Sequence, residues 1–109
     1  YVSTIKLDWI NTGKQITGNN TPGNFELSQN YPNPFNPETR ITFEIPEASF
    51  VQMKLYDMLG REVDVMIEQY LSKGIHNIKY SNPALSSGIY FYELRSGKFR
   101  DIKKMTLIK

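Results

Sequence analysis

Apolar side chains recur at every second position along most of this chain, in short runs separated by turn residues. Through residues 39–45, Ile41, Phe43 and Ile45 share one face while Arg40, Thr42 and Glu44 share the other, which is the period of a strand buried on one side. Pro46 has no amide hydrogen to give a ladder and ends the run. The next run repeats the pattern with Val51, Met53 and Leu55 inward, then passes through Asp57-Met58-Leu59-Gly60, where Gly60 supplies the left-handed conformation of a tight hairpin. The returning strand is expected to direct Val63, Val65 and Ile67 into the same core. Gly88-Ile89-Tyr90-Phe91-Tyr92 is apolar or aromatic on both faces, so it reads as a central strand, covered by the opposing sheet on one side and by loops on the other. Ahead of it, Ser81-Asn82-Pro83 and Leu85-Ser86-Ser87-Gly88 carry the turn residues of a Greek-key crossover or a change of sheet.

No stretch keeps a helical period with caps. The pattern predicts an all-β, immunoglobulin-like β-sandwich of about seven antiparallel strands, near Phe25–Ser28, Thr39–Ile45, Phe50–Tyr56, Glu62–Leu71, Ile75–Tyr80, Gly88–Leu94 and Phe99–Ile108. Two shorter regions precede this domain, which is taken as residues 24–109. Residues 1–10 alternate, with Tyr1, Ile5, Leu7 and Trp9 opposite Lys6 and Asp8, and one strand cannot bury such a face alone. It either ends an upstream domain, adds to the main sheet, or pairs with another molecule. Residues 11–23 gather Asn, Thr, Gly and Pro around a single apolar Ile16 and read as a flexible linker. Within it, Asn19-Asn20-Thr21 matches a glycosylation acceptor, but a polar linker is the plainer reading.

Composition acts on this picture by exclusion. With 109 residues, 39% hydrophobic and 22% charged, the chain has material for one modest core. A formal net charge of +2 falls short of the concentrated basic field that nucleic acid demands. Cysteine is absent, so disulfides and thiolate metal sites are excluded. No apolar run approaches the roughly 20 residues of a membrane-spanning helix. No leader opens the chain, which starts at Tyr1 and is read as a processed product or the end of a longer protein. His76 alternates with Ile78 and Tyr80 and is expected at the edge of the core. Asp57 should cap its turn, while Glu62, Asp64 and Glu68 should lie on a solvated strand face. No nucleophile has a visible base partner, and no catalytic, cofactor-binding or metal-ligating residue is assigned.

Two segments stand apart. Arg95, Lys98, Arg100, Lys103, Lys104 and Lys109 outweigh Asp101, so the last hairpin concentrates positive charge. Lysines guard an edge strand against aggregation, and the same edge can be offered to a partner. In Tyr31-Pro32-Asn33-Pro34-Phe35-Asn36-Pro37, the prolines fix their own φ and bias the residues before them toward extended geometry. The result is a stiff arm, either a recognition peptide or a clasp in which Tyr31 and Phe35 anchor into the sandwich.

Four stretches carry a resemblance, in order: Leu27-Ser28-Gln29-Asn30-Tyr31-Pro32-Asn33-Pro34-Phe35-Asn36-Pro37, Leu55-Tyr56-Asp57-Met58-Leu59-Gly60-Arg61-Glu62-Val63, Leu85-Ser86-Ser87-Gly88-Ile89-Tyr90-Phe91-Tyr92, and Lys103-Lys104-Met105-Thr106-Leu107-Ile108-Lys109. On these, the chain from about Asn24 resembles the type A C-terminal sorting domain of proteins exported by the bacterial type IX secretion system. It departs from the family pattern at Tyr80-Ser81-Asn82, where the family often has a Trp-Asp-Gly-like turn. The resemblance implies a non-catalytic export signal on a larger secreted protein, taken through the periplasm to the outer-membrane surface or the extracellular space. It implies as partners the outer-membrane secretion machinery, which recognises the folded form and last strand, an upstream cargo domain, and a cell-surface sortase cutting in the linker, here residues 11–23. Lys103, Lys104, Met105, Leu107 and Lys109 are then the recognition segment, and Tyr31, Pro32, Asn33, Pro34, Phe35, Asn36, Pro37, Gly60 and Gly88 the structural motif. Two other readings stand beside it. One is a surface-fibre subunit that self-associates by strand addition. The other is a carbohydrate-binding sandwich, for which aromatics should line an exposed face rather than be distributed into strand cores.

Overall fold

The computed structural model describes residues 24–109, and the readings for residues 1–10 and 11–23 lie outside them. Seven strands follow in order: β1 (Glu26–Leu27), β2 (Thr39–Ile45), β3 (Ser49–Tyr56), β4 (Glu62–Leu71), β5 (Gly74–Tyr80), β6 (Gly88–Ser96) and β7 (Phe99–Leu107). They form two sheets, ordered β1-β2-β5 and β4-β3-β6-β7, with every pairing antiparallel. This is an all-β, immunoglobulin-like sandwich. In the constant-type arrangement the fourth strand joins strands one, two and five; here it stays beside β3. The turn at residues 57–60 is too tight to carry the chain across the roughly 10 Å between sheets. The Asp57 amide donates to the Arg61 carbonyl and the Asp57 carbonyl accepts from the Gly60 amide, and Gly60 sits at φ 82° as the hairpin requires.

The alternating positions meet in the middle. Ile41, Phe43 and Ile45 of β2 pack with Val51, Met53 and Leu55 of β3, Tyr90, Tyr92 and Leu94 of β6, and Met105 and Leu107 of β7, none more than 7% exposed. β6 lies between β3 and β7, the central place its composition indicates. Its outer side is not covered by loops, however: Phe91 is half-buried in the wall of an open groove. Tyr90 opens the strand, and its hydroxyl donates to the Ser86 carbonyl at 2.7 Å, the corner-fastening device of such sandwiches. His76 is half-buried, stacked on Phe43 with ring centroids 5.4 Å apart, as its place in the alternation predicts.

β4 departs from its pattern. Met53 opposes Ile67, Lys54 opposes Val65, Leu55 opposes Asp64 and Tyr56 opposes Glu62, so Met66 and Val63 are each an extra residue against β3. Each bulge flips the side chains that follow it to the other face. Of the expected inward trio only Ile67 is buried; Val63 and Val65 are 37% and 42% exposed. Asp64 takes the inward place opposite Leu55 instead of a solvated one, and its Oδ2 accepts from the Tyr80 hydroxyl at 2.6 Å and from Asn82 Nδ2 at 3.0 Å. Because β4 and β5 belong to different sheets, this contact joins one lateral edge of the sandwich.

Candidate functional site: the proline arm and the terminal strand

The arm connects β1, at the edge of one sheet, to the central strand of that sheet, and on the way it runs along β7, the edge of the other. Tyr31 and Arg40 exchange backbone hydrogen bonds of 2.9 Å, tying the start of the arm to β2. Phe35 then forms a parallel bridge to Leu107: its amide donates to the Thr106 carbonyl at 2.9 Å, and its carbonyl accepts from the Ile108 amide at 3.0 Å. Asn33 Oδ1 accepts from the Thr106 amide at 3.0 Å, and Gln29 Nε2 donates to the Lys104 carbonyl at 2.6 Å. The outer edge of β7 from the Lys104 carbonyl to Ile108 is therefore covered. Between its two bridges the arm bends at residues 32–34 and 36–37, so it is not the uniformly extended rod the prolines suggest, and its three X–Pro bonds are cis.

Phe35 is the arm's anchor, 1% exposed in the core. Tyr31 is not an anchor: it is 79% exposed, because the bridge to Arg40 turns its ring outward. A polar cluster fills that role. Asn30 is buried, with Nδ2 donating to the Pro32 carbonyl at 3.1 Å and to Thr39 Oγ1 at 3.0 Å, while Thr39 Oγ1 donates to the same carbonyl at 2.9 Å. The Tyr92 hydroxyl, at the centre of the core, accepts from the Asn30 amide at 2.8 Å and donates to the Ser28 carbonyl at 2.7 Å. Burial pushes this phenol up to about 12, against the Asn30 hydrogen bond. Gln29, Asn30 and Tyr92 lie within the resembling stretches and Thr39 opens a strand, but their residue order does not reveal that they bond to one another or to the arm. A buried asparagine beside prolines has the composition of an exposed loop; only the need of a core tyrosine for a hydroxyl partner gives a signal.

The segment expected to be recognised divides in two. Lys104 and Lys109 are exposed and Lys103 half-buried, whereas Met105 and Leu107 lie in the core at 0% and 3% exposure, out of reach of a partner docked on the folded surface. Lys109 ties back to the β5–β6 connection, its amide donating to Ser87 Oγ at 2.9 Å and its Nζ to the Pro83 carbonyl at 2.8 Å. Gly88 faces Leu107 in the ladder, so the third and fourth resembling stretches are paired.

A model of the family described as "Secretion system C-terminal sorting domain" matches residues 29–109. The chain belongs to this family. The match opens at Gln29, the residue whose side chain reaches β7, and takes in the whole arm and every strand from β2 to β7. The sorting domain is thus a C-terminal signal of type IX secretion. No curated protein matches it. Among solved structures it is similar to one described as "Structural and functional probing of PorZ, an essential bacterial surface component of the type-IX secretion system of human oral-microbiomic Porphyromonas gingivalis", at 15% identity and a TM-score of 0.49 over 78% of this chain. The sorting domain spans 11% of that chain's length. Among the described residues of the sorting domain no helix is long and apolar enough to cross a membrane, which says nothing of β-barrels.

The hairpin turn and the outer face of the larger sheet complete the electrostatics. Asp57 Oδ1 accepts from the Leu59 and Arg61 amides at 2.9 and 3.0 Å, and Oδ2 pairs with Arg61 Nε at 2.9 Å, the turn cap expected of it. The Arg61 amide, with smaller help from its guanidinium and the Leu59 amide, holds this carboxyl below its ordinary value. On the outer face, Phe50, Tyr56, Tyr70 and Phe91 accompany the charged groups, so the aromatics are not all drawn into strand cores.

Proposed function

We propose that this domain directs a larger secreted protein through the periplasm and across the outer membrane to the cell surface or the extracellular space, acting as a recognition surface and not as a catalyst. One observation carries the reading beyond family membership: the last strand is built into the core and onto the surface at once. Met105 and Leu107 are core, Phe35 fastens their edge, and Lys104 and Lys109 are exposed while Lys103 is half-buried. A signal of this construction is legible only when the domain is folded. In this reading the lysines are recognised by the secretion machinery, the arm with Gly60 and Gly88 maintains the fold that presents them, and residues 11–23 are where a surface sortase separates domain from cargo. The arm lying on β7 speaks against self-association by strand addition at that edge.

The test is a periplasmic reporter fused to the full chain in a host with this secretion system, beside a triple Lys103→Gln, Lys104→Gln, Lys109→Gln fusion. Truncation is a poor test, because removing residues 103–109 deletes Met105 and Leu107 from the core. The full fusion should reach the surface and the triple variant, though folded, should accumulate in the periplasm. Retention of the full fusion would refute the export role, and equal export of the triple variant would refute recognition through the lysines.

A further inference from the structure

Arg95 of β6 and Arg100 of β7 stand directly opposite one another in the ladder, an arrangement in which like charges repel and weaken a sheet. What holds them together is Glu93, whose side chain is 8% exposed although it lies on the sheet's outer face. It accepts a hydrogen bond from Arg100 Nε, an ion-pair contact from Arg95 Nε at 3.7 Å, and a hydrogen bond from the Tyr56 hydroxyl at 3.3 Å. Burial pushes Glu93 up, but the Arg100 hydrogen bond and charge, with Arg95, outweigh it and leave the carboxyl below its ordinary value. One carboxylate cannot neutralise two guanidiniums. Among the described residues Glu93 is the only ion-pair partner of either, both side chains remain more than half exposed, and each carries further N–H donors in a fixed plane.

This pair forms one wall of a groove of about 600 Å³. The lining also takes in Tyr56, Phe91, Met58 and Ile102, the last two 67% and 42% exposed, and Lys54, which stands opposite Glu93 in the ladder and pairs with Glu62 at 3.3 Å. The remaining acid of the lining, Asp57, is engaged by Arg61. The groove is thus cationic at one end, where Arg95 and Arg100 face each other, and aromatic and apolar at the other, around Tyr56, Phe91 and Met58, with the Lys54–Glu93 pair of ladder positions between them.

We propose that the groove binds an acidic peptide segment of a partner protein, one carboxylate lying on the Arg95–Arg100 fork and a neighbouring apolar side chain lying against Tyr56, Met58 and Phe91. Charge complementarity selects a carboxylate, for which the planar guanidinium is the matching donor. The exposed methionine and isoleucine select a peptide over a sugar, since a polyhydroxylated ligand gains little from flexible aliphatic side chains whereas an apolar side chain is accommodated by them. The inference does not rest on the export role.

The test uses the full isotope-labelled chain titrated with the capped peptide Glu-Glu-Phe-Glu-Glu, followed by amide chemical shifts, with Lys-Lys-Phe-Lys-Lys and a galacturonate oligomer as comparators. The acidic peptide should shift amides of residues 54–60, 91–95 and 100–102, and Arg95→Gln should weaken it about tenfold, the scale of one charged hydrogen bond. Met58→Ser, at an exposed turn position outside the ladders, should also weaken it while leaving the rest of the spectrum in place. Absence of shifts, equal response to the basic peptide, or affinity unchanged in both variants would overturn the proposal. So would tighter binding of the galacturonate, which would make the occupant a glycan.

Discussion

On one lateral edge of the sandwich, the chain between β1 and β2 lays a buried Phe35 and four hydrogen bonds along β7; on the other, β4 and β5 meet through Asp64, Tyr80 and Asn82. The strands respond differently. β7 keeps all nine of its residues in unbroken register with β6, whereas β4 slips twice against β3. A bulged strand manages its own edge, because the bulges twist and interrupt the row of backbone groups a stranger would pair with. A covered strand stays straight and regular. The comparison teaches that regularity in the terminal strand is maintained from outside, by residues some 70 positions away in the chain, as the separation of 73 between Asn33 and Thr106 shows.

The sharpest way to break the comparison is Phe35→Ala. Emptying that buried site should cost about 3–5 kcal/mol, read as a lowered midpoint in urea, with amide exchange at Thr106 and Ile108 accelerated first. Uniform acceleration across β4 and β5 as well would show that the arm does not act on its own edge. Next is Tyr92→Phe, which leaves the Ser28 carbonyl and the Asn30 amide without their buried partner and should cost about 1–3 kcal/mol by the same denaturation.

The Tyr92 hydroxyl also sharpens the comparison through pH. Its folded value of about 12 lies above the ordinary phenol value of about 10, and Tyr80 is raised too, by burial and then by Asp64. A raised value means the unfolded chain releases its proton first. The stabilisation is present below pH of about 10 and is lost as pH rises from there toward the folded values. Thermal melts should therefore fall on the alkaline side, less steeply in Tyr92→Phe. On the opposite edge Asp64→Ala, which removes the acceptor of Tyr80 and Asn82, should cost about 1 kcal/mol and speed exchange in β4 and β5 while sparing β7. Smallest of all, Tyr31→Ser should change stability by less than about 0.5 kcal/mol, since the ring is in solvent; a larger loss would restore it as an anchor of the arm.

Much of this was legible in residue order. The seven strand spans, the inward faces of β2 and β3, the Asp57 turn cap, and the central place of β6 follow from two-residue alternation and turn chemistry, which are local. The mistaken expectations share a cause. Val63 and Val65 alternate correctly with their neighbours, yet two bulges move them outward, and a bulge is a relation between strands that neither strand announces. Tyr31 and Phe35 look equivalent within a proline arm, yet only Phe35 is turned into the core.

For this protein, sequence by itself determined the class of fold, the number and spans of strands, and the family, because periodicity and motif order are properties of neighbours along the chain. Tertiary structure decided that the arm lies along the terminal strand. It also decided that Met105 and Leu107 belong to the core while Lys104 and Lys109 are exposed, that Asp64 closes an edge, and that two arginines share one carboxylate on the outer face. Each of these depends on which strand lies beside which. Pairing across tens of residues is fixed by burial and hydrogen bonding together, not by any local run.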